Sequence, residues 1–371
     1  MIGFTLYIIT GVIGPLVGRI IQRYGASKVF MGGALITAAG FVLLSQVNTL
    51  SAFLLGWTII GFGTAGTGML PAAVVVTHWF TRRRGTAIGI MSAGLGLGGV
   101  VIGPLIGGYF IPAFGWRTAL LIMAALNCVI VPLALFIKTQ PSDVGLSSDG
   151  VTSAERTLAD KVHPAPVRGM TLKEASTTLT FWLIIIVFLF SNLSNTGVFQ
   201  SQFTHLQDIG FPLSVAVTAL GSLSFASLVG RLGFGMLSDR IQPRYACLVG
   251  MILQLVAVII LLQIKPASPA ALIWLYAIIM GLGTASFLPT MSLMVSENFG
   301  LANYGTIFGA MGVAMSIGVA LGPLAGGYMF DTLGSYSRIF LIYAILYGIS
   351  IPAVLAIRHP GKKSIAGKNK T

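Results

Sequence analysis

The chain has 371 residues, 55% of them hydrophobic and only 8% charged, whereas a soluble domain carries charge on about a quarter of its positions. So much apolar surface excludes a water-soluble globule and requires lipid as the solvent. A net charge of +13 would suggest nucleic acid in a soluble protein, but here the basic residues recur in alternate loops, a pattern that orients a membrane chain instead.

A spanning helix needs about 20 mostly apolar residues. In chain order such segments fall at 2–18, 28–46, 52–77, 85–111, 116–137, 179–203, 213–235, 245–264, 270–295, 304–329 and 337–357. The first five give an N-terminal bundle over 1–137, and the last six a C-terminal bundle over 179–357. Between them, 138–178 is rich in Ser, Thr, Pro and charge and reads as a cytoplasmic linker, with a short amphipathic piece at Thr171–Ser176. Residues 358–371 form a basic cytoplasmic tail. Cytoplasmic loops are marked by Arg19, Arg23 and Lys28, by Arg82, Arg83 and Arg84, by the linker and tail, and by Arg240 and Arg244. The opposite side receives Arg117, Lys265 and Arg338. The expectation is a multi-pass monomer in the inner (cytoplasmic) membrane, with lipid around it and no nucleic-acid partner. Cys128 and Cys247 each sit alone in an apolar run and read as small core residues.

The sequence repeats itself. Gly99-x3-Gly103-Pro104-x2-Gly107-Gly108 returns as Gly318-x3-Gly322-Pro323-x2-Gly326-Gly327, an offset of 219. Gly85-Thr86-x2-Gly89 returns at Gly305, and Gly61-x-Gly63-Thr64-Ala65 at Gly281, both at 220. Gly18-x3-Gln22-Arg23 matches Gly235-x3-Asp239-Arg240 at 217. Two related halves are the simplest account. Segment 179–203 has no partner in the first half, so about eleven of twelve helices are expected here, the first being absent before Met1.

The motifs resemble those of the major facilitator superfamily. The loop from Gly14-Pro15 through Arg19, Gln22 and Arg23 to Gly25 looks like its signature between helices two and three, and Gly235-Met236-Leu237-Ser238-Asp239-Arg240 is a closer copy. In that family an acidic residue at this place meets a helix end and basic partners in a lock. Gln22 stands where the acid is usual, which leaves Asp239 as the better candidate. Trp79-Phe80-Thr81-Arg82-Arg83-Arg84-Gly85 is similar to the entry to helix five of monocarboxylate transporters and oxalate:formate antiporters, as are Gly115-Trp116-Arg117 and Phe181-Trp182-Leu183. The resemblance implies an all-α membrane protein of two pseudo-symmetric helix bundles. It also implies gating residues at Gln22, Arg23, Arg83, Asp239 and Arg240.

Inside the helices, ionisable groups are rare. All nine acidic residues lie in loops or at helix ends, and no nucleophile, acid–base pair or metal cluster is visible. No enzyme, cofactor or metal is therefore expected. Arg231 is the exception, eight residues before Asp239 and so about 12 Å along a helix from its cytoplasmic end. A buried cation at that depth needs water or a partner. A substrate carboxylate held by two parallel hydrogen bonds would supply one, and backbone carbonyls are the other reading. Ser224 to Arg231 also resembles helix eight of monocarboxylate transporters, whose arginine is implicated in substrate binding. An acidic residue commonly lies four positions earlier there, where this chain has Ser227, so proton coupling by that route is not implied. No Lys or Arg occurs between Asn303 and Asp331, so the dianion-binding lysine of the oxalate:formate relatives has no counterpart. One cation suits one carboxylate. Asn192 and Asn195, three apart on one helix face, are candidates to line the cavity with Ser227, or to bond neighbouring helices.

The expectation is a secondary transporter of a small organic anion, a monocarboxylate, working by alternating access with a proton as candidate coupling ion. The alternatives are an exporter of drug-like amphiphiles and a non-transporting membrane sensor.

Overall fold

The computed structural model describes residues 2–146, 169–266 and 268–357. It is helical nearly throughout, and nine of its helical stretches are long and apolar enough to cross a membrane among the described residues. The first half comprises α1 (Ile2–Tyr24), α2 (Ala26–Ser45), α3 (Leu50–Thr67), α4 (Met69–Trp79), α5 (Arg84–Pro104) and α6 (Ile111–Leu135). The short α7 (Leu172–Ser176) precedes the second half: α8 (Leu179–Asp208), α9 (Leu213–Arg240), α10 (Pro243–Gln263), α11 (Ala270–Ala285), α12 (Phe287–Phe299), α13 (Tyr304–Leu333) and α14 (Ser337–Ala356).

The segments read at 52–77 and 270–295 are each broken once, at related places. Gly68, with φ −82° and ψ −156°, separates α3 from α4, and Ser286 separates α11 from α12. Pro71 and Pro289 lie three residues beyond these breaks and carry no amide proton, so neither can close the helical ladder across the junction. A second pair of related positions turns the chain between spans. Gly115 (φ 81°) interrupts α6 near its start, and Gly334 (φ 63°), 219 residues on, ends α13. Both adopt the left-handed backbone that glycine takes without steric cost. Pro104 ends α5 and is followed by a π turn over Leu105–Phe110. Its counterpart Pro323 is carried within the continuous α13.

Each half packs as a bundle. In the first, α2 lies against α3 and α6; in the second, α9 and α10 lie against α11, and α8 against α13 and α14. The halves meet along two related seams, α1 against α13 and α5 against α9. At both, glycines bring backbones together. A Cβ added to Gly14 would fall 2.9 Å from the carbonyl oxygen of Gly309, and one on Gly235 would fall 2.7 Å from that of Gly85. Such small-residue contacts are how helices attract one another without a hydrophobic driving force.

The described ends of the linker are each fastened to their own half, at the end that carries the basic loops. Trp79 Nε1 donates to the Lys138 carbonyl at 2.8 Å, and Met170 N to the Phe299 carbonyl at 2.8 Å. The expected amphipathic piece is α7, opened by a capping box in which Thr171 and Glu174 bond each other's backbone amides. The remainder of the linker, 147–168, and the basic tail lie outside the described residues. One reading needs correction: Cys247 is buried as expected, but Cys128 is exposed, because α6 presents most of this face outwards. The pattern of a single apolar run cannot separate a lipid-facing position from a core one.

Candidate functional site

Every apolar position in a spanning helix is permitted to face lipid, so a site must be built from the few polar groups that turn inward. Those groups converge on a cavity of about 390 Å³ between the halves. Its polar wall comes from α8 and α9: Asn192, Asn195 and Thr196 from the first, Ser224, Ser227 and Arg231 from the second. Thr284 of α11 joins them. Leu95 and Gly96 of α5 supply the facing wall, and Phe199, Leu223, Met280 and Phe287 make the remainder apolar.

Arg231 is half-buried and donates from Nη1 to the backbone carbonyl of Ser92 at 2.6 Å. That bond crosses from α9 to α5, so the guanidinium is anchored on the other half of the molecule. A guanidinium carries five donors in a rigid fork, and one carbonyl engages a single one of them. Arg231 is thus bonded to a backbone carbonyl, as the second of its two readings has it, and it also lines the cavity. Ser227 is buried at the same wall, one helical turn from Arg231. Asn192 donates to the Phe188 carbonyl of its own helix at 2.7 Å, and Asn195 donates to Gln254 Oε1 at 3.3 Å.

The residues singled out for gating lie at the basic end. Asp239, near the end of α9, receives the backbone amides of Gly85 (2.6 Å) and Thr86 (2.8 Å) and the Thr86 hydroxyl (2.6 Å). Its carboxylate thus caps α5, where unsatisfied amides and the helix dipole both favour negative charge. Gln22, the related position on α1, reaches the other seam but in the opposite sense. Its Nε2 donates to the Ala302 carbonyl at 3.3 Å, just before α13. Arg83 and Arg240 are exposed around a depression of about 490 Å³ that they share with Arg82, Thr86, Met236 and Asp239. Arg23 is exposed and lies against Tyr24, with its guanidinium carbon 5.3 Å from the ring centre.

Two residues join this picture that the sequence reading did not single out. Arg84, not Arg83, is the buried member of the arginine triplet, and it donates to Ser296 Oγ at 3.1 Å across the interface. Gln254 is buried in α10 and links Asn195, Tyr347 and the backbone of α11. The start of α5 at Arg84 is what sorts the three consecutive arginines. A lone amide in an apolar stretch, such as Gln254, was the available signal for the second.

Among the described residues no group of His, Cys, Asp and Glu is placed to hold a metal ion. The family model described as Major Facilitator Superfamily matches residues 1–311 and 267–371. Monocarboxylate transporter 13 of Bos taurus is 25% identical over 332 residues, covering 88% of this chain and 72% of that protein. The multi-drug resistance efflux pump PmrA of Streptococcus pneumoniae serotype 4 is 24% identical over 341 residues, 91% of this chain and 80% of the pump. Among solved structures, the human organic anion transporter MFSD10 (TETRAN) superposes with a TM-score of 0.71 at 16% identity, over 95% of this chain and 82% of that one.

Proposed function

The chain belongs to the Major Facilitator Superfamily, and from that premise we propose that it carries a small monocarboxylate across the cytoplasmic membrane by alternating access, with Arg231 as the carboxylate ligand. It is a multi-pass membrane transporter, not an enzyme. What supports the finer reading is the guanidinium of Arg231 at the wall of a cavity between the halves, fixed by its bond to Ser92. A carboxylate arriving there meets donors already oriented, which lowers the entropic cost of binding. Binding also neutralises a partly desolvated cation, and that makes closing the cavity around the pair less costly than closing it around the bare charge. The similarity to monocarboxylate transporter 13 points the same way.

The decisive measurement is binding of lactate, pyruvate and oxalate to the purified protein, beside an Arg231→Ala variant. Saturable binding of the monocarboxylates, lost in the folded variant, is the expected result. Equal affinity in the two proteins would remove Arg231 from the site. A second reading, export of amphiphilic solutes, draws support from the apolar lining by Phe199, Leu223, Met280 and Phe287 and from the similarity to PmrA. It is separated by the same variant, since an uncharged amphiphile does not require the arginine.

A further inference from the structure

Gln254 lies in α10 with 2% of its surface exposed. Its Nε2 donates to the carbonyls of Gly250 and Gly283, each at 3.3 Å. A carbonyl oxygen can only accept, so the amide nitrogen must face that side and Oε1 the other. Oε1 accepts from the Tyr347 hydroxyl at 2.9 Å and from Asn195 Nδ2 at 3.3 Å. An acceptor at that place obliges Asn195 to turn its nitrogen towards Gln254, leaving its amide oxygen on the other side. The orientation of Asn195 is therefore set by two backbone carbonyls that it never touches.

Asn192 is oriented by the same logic. One proton of its Nδ2 goes to the Phe188 carbonyl, which turns its oxygen to the opposite side. Both asparagines line the cavity that holds Arg231. The site thus faces the guanidinium donors of Arg231 on α9 with two oriented amide oxygens on α8.

We propose that Gln254 is a positioning residue that fixes Asn195 as an acceptor, so that the site selects a short carboxylate bearing a hydroxyl over its oxo and unsubstituted counterparts. The proposal rests on Arg231 binding the carboxylate. The hydroxyl then donates to an amide oxygen. An oxo group would set oxygen against oxygen, and an unsubstituted chain would leave the acceptor unpaired. Each is penalised because a polar group removed from water without a partner retains its desolvation cost.

The test compares lactate, pyruvate and propionate, which share the carboxylate and differ at one carbon, by competition binding to the purified full chain. The wild type is expected to prefer lactate by about tenfold, the scale of one neutral hydrogen bond plus the unpaired acceptor. In Gln254→Met and in Asn195→Leu the preference should fall to within about twofold, lactate losing affinity while pyruvate and propionate, freed of the unpaired acceptor, gain it. A merely structural role for Gln254 would weaken all three ligands together and leave their ratio intact. Asn195 is only half-buried, so the leucine variant carries the test if the methionine variant fails to fold. Equal binding of the three acids by the wild type, or an unaltered ratio in the folded leucine variant, would overturn this inference and leave the arginine reading standing. Failure of all three to bind would overturn both.

Discussion

Arg231 uses a backbone carbonyl of one half to aim a side chain of the other, so its geometry matters as much as its charge. Lysine at this place would keep the charge but lose the planar fork that holds a carboxylate with two bonds. Arg231→Lys is expected to raise the Kd for lactate at least tenfold, with the protein still folded, as measured by titration calorimetry. At Gln254, the Tyr347 hydroxyl is one of two donors to a buried acceptor. Tyr347→Phe removes one while leaving the bond from Asn195 in place. Its expected cost is about 1 kcal/mol of stability, read as a lowered Tm, with the ligand ratio retained. A lost ratio would mean that Tyr347, and not the Gly250 and Gly283 carbonyls, orients Gln254.

At the scale of elements, the two seams are related by the repeat but are not chemically equal. Asp239 caps α5 with three hydrogen bonds, whereas Gln22 offers α13 only an amide donor, at the carbonyl of Ala302. A carboxylate at position 22 could receive the amides at Gly305 and Thr306, the counterparts of Gly85 and Thr86. Gln22→Asp should therefore stabilise contact at the basic end by about 1 kcal/mol, and Asp239→Asn should weaken it by a similar amount. Spin-label distances across the two seams would register the shifts in opposite directions, and no shift in either would deny these residues a gating role. This pairing could be read from the sequence because glycine spacing preserves the repeat through its divergence. Arg231 was legible too, since a single cation among apolar residues needs a reason. Gln254 was not, because its partners lie 59 and 93 residues away, and periodicity does not say which helix faces meet. The breaks at Gly68 and Ser286 were also missed. Continuous apolar runs conceal them, and only Pro71 and Pro289 marked their places.

Across the whole molecule, the halves touch closely where the basic loops gather. Gly89 shows how tightly, since an added Cβ there would lie 2.6 Å from the Arg231 carbonyl. Gly89→Leu should force α5 from α9, displace Arg231 from Ser92 and abolish lactate binding, while far-ultraviolet circular dichroism retains its helical signal. Binding should also stabilise the fold. A ligand at about 100 times its Kd adds about 2.7 kcal/mol, so lactate is expected to raise the Tm of the wild type and not of Arg231→Ala.

Among the described residues, the polar side chains that line the cavity belong to the second half, while the first contributes Leu95, Gly96 and, through Ser92, the anchor of Arg231. On the proposed reading, selectivity would reside in the second half and the anchor of its arginine in the first. The anchor asks of the first half a helix carbonyl at the right height and, at Gly89, a residue small enough to let α5 approach α9. A chimera joining residues 179–357 to the N-terminal bundle of a relative should keep this chain's preference among carboxylates, and the reverse chimera should lose it. Such an outcome would make cargo recognition a graftable trait, carried by one half of a duplicated protein while the other need only keep its close approach.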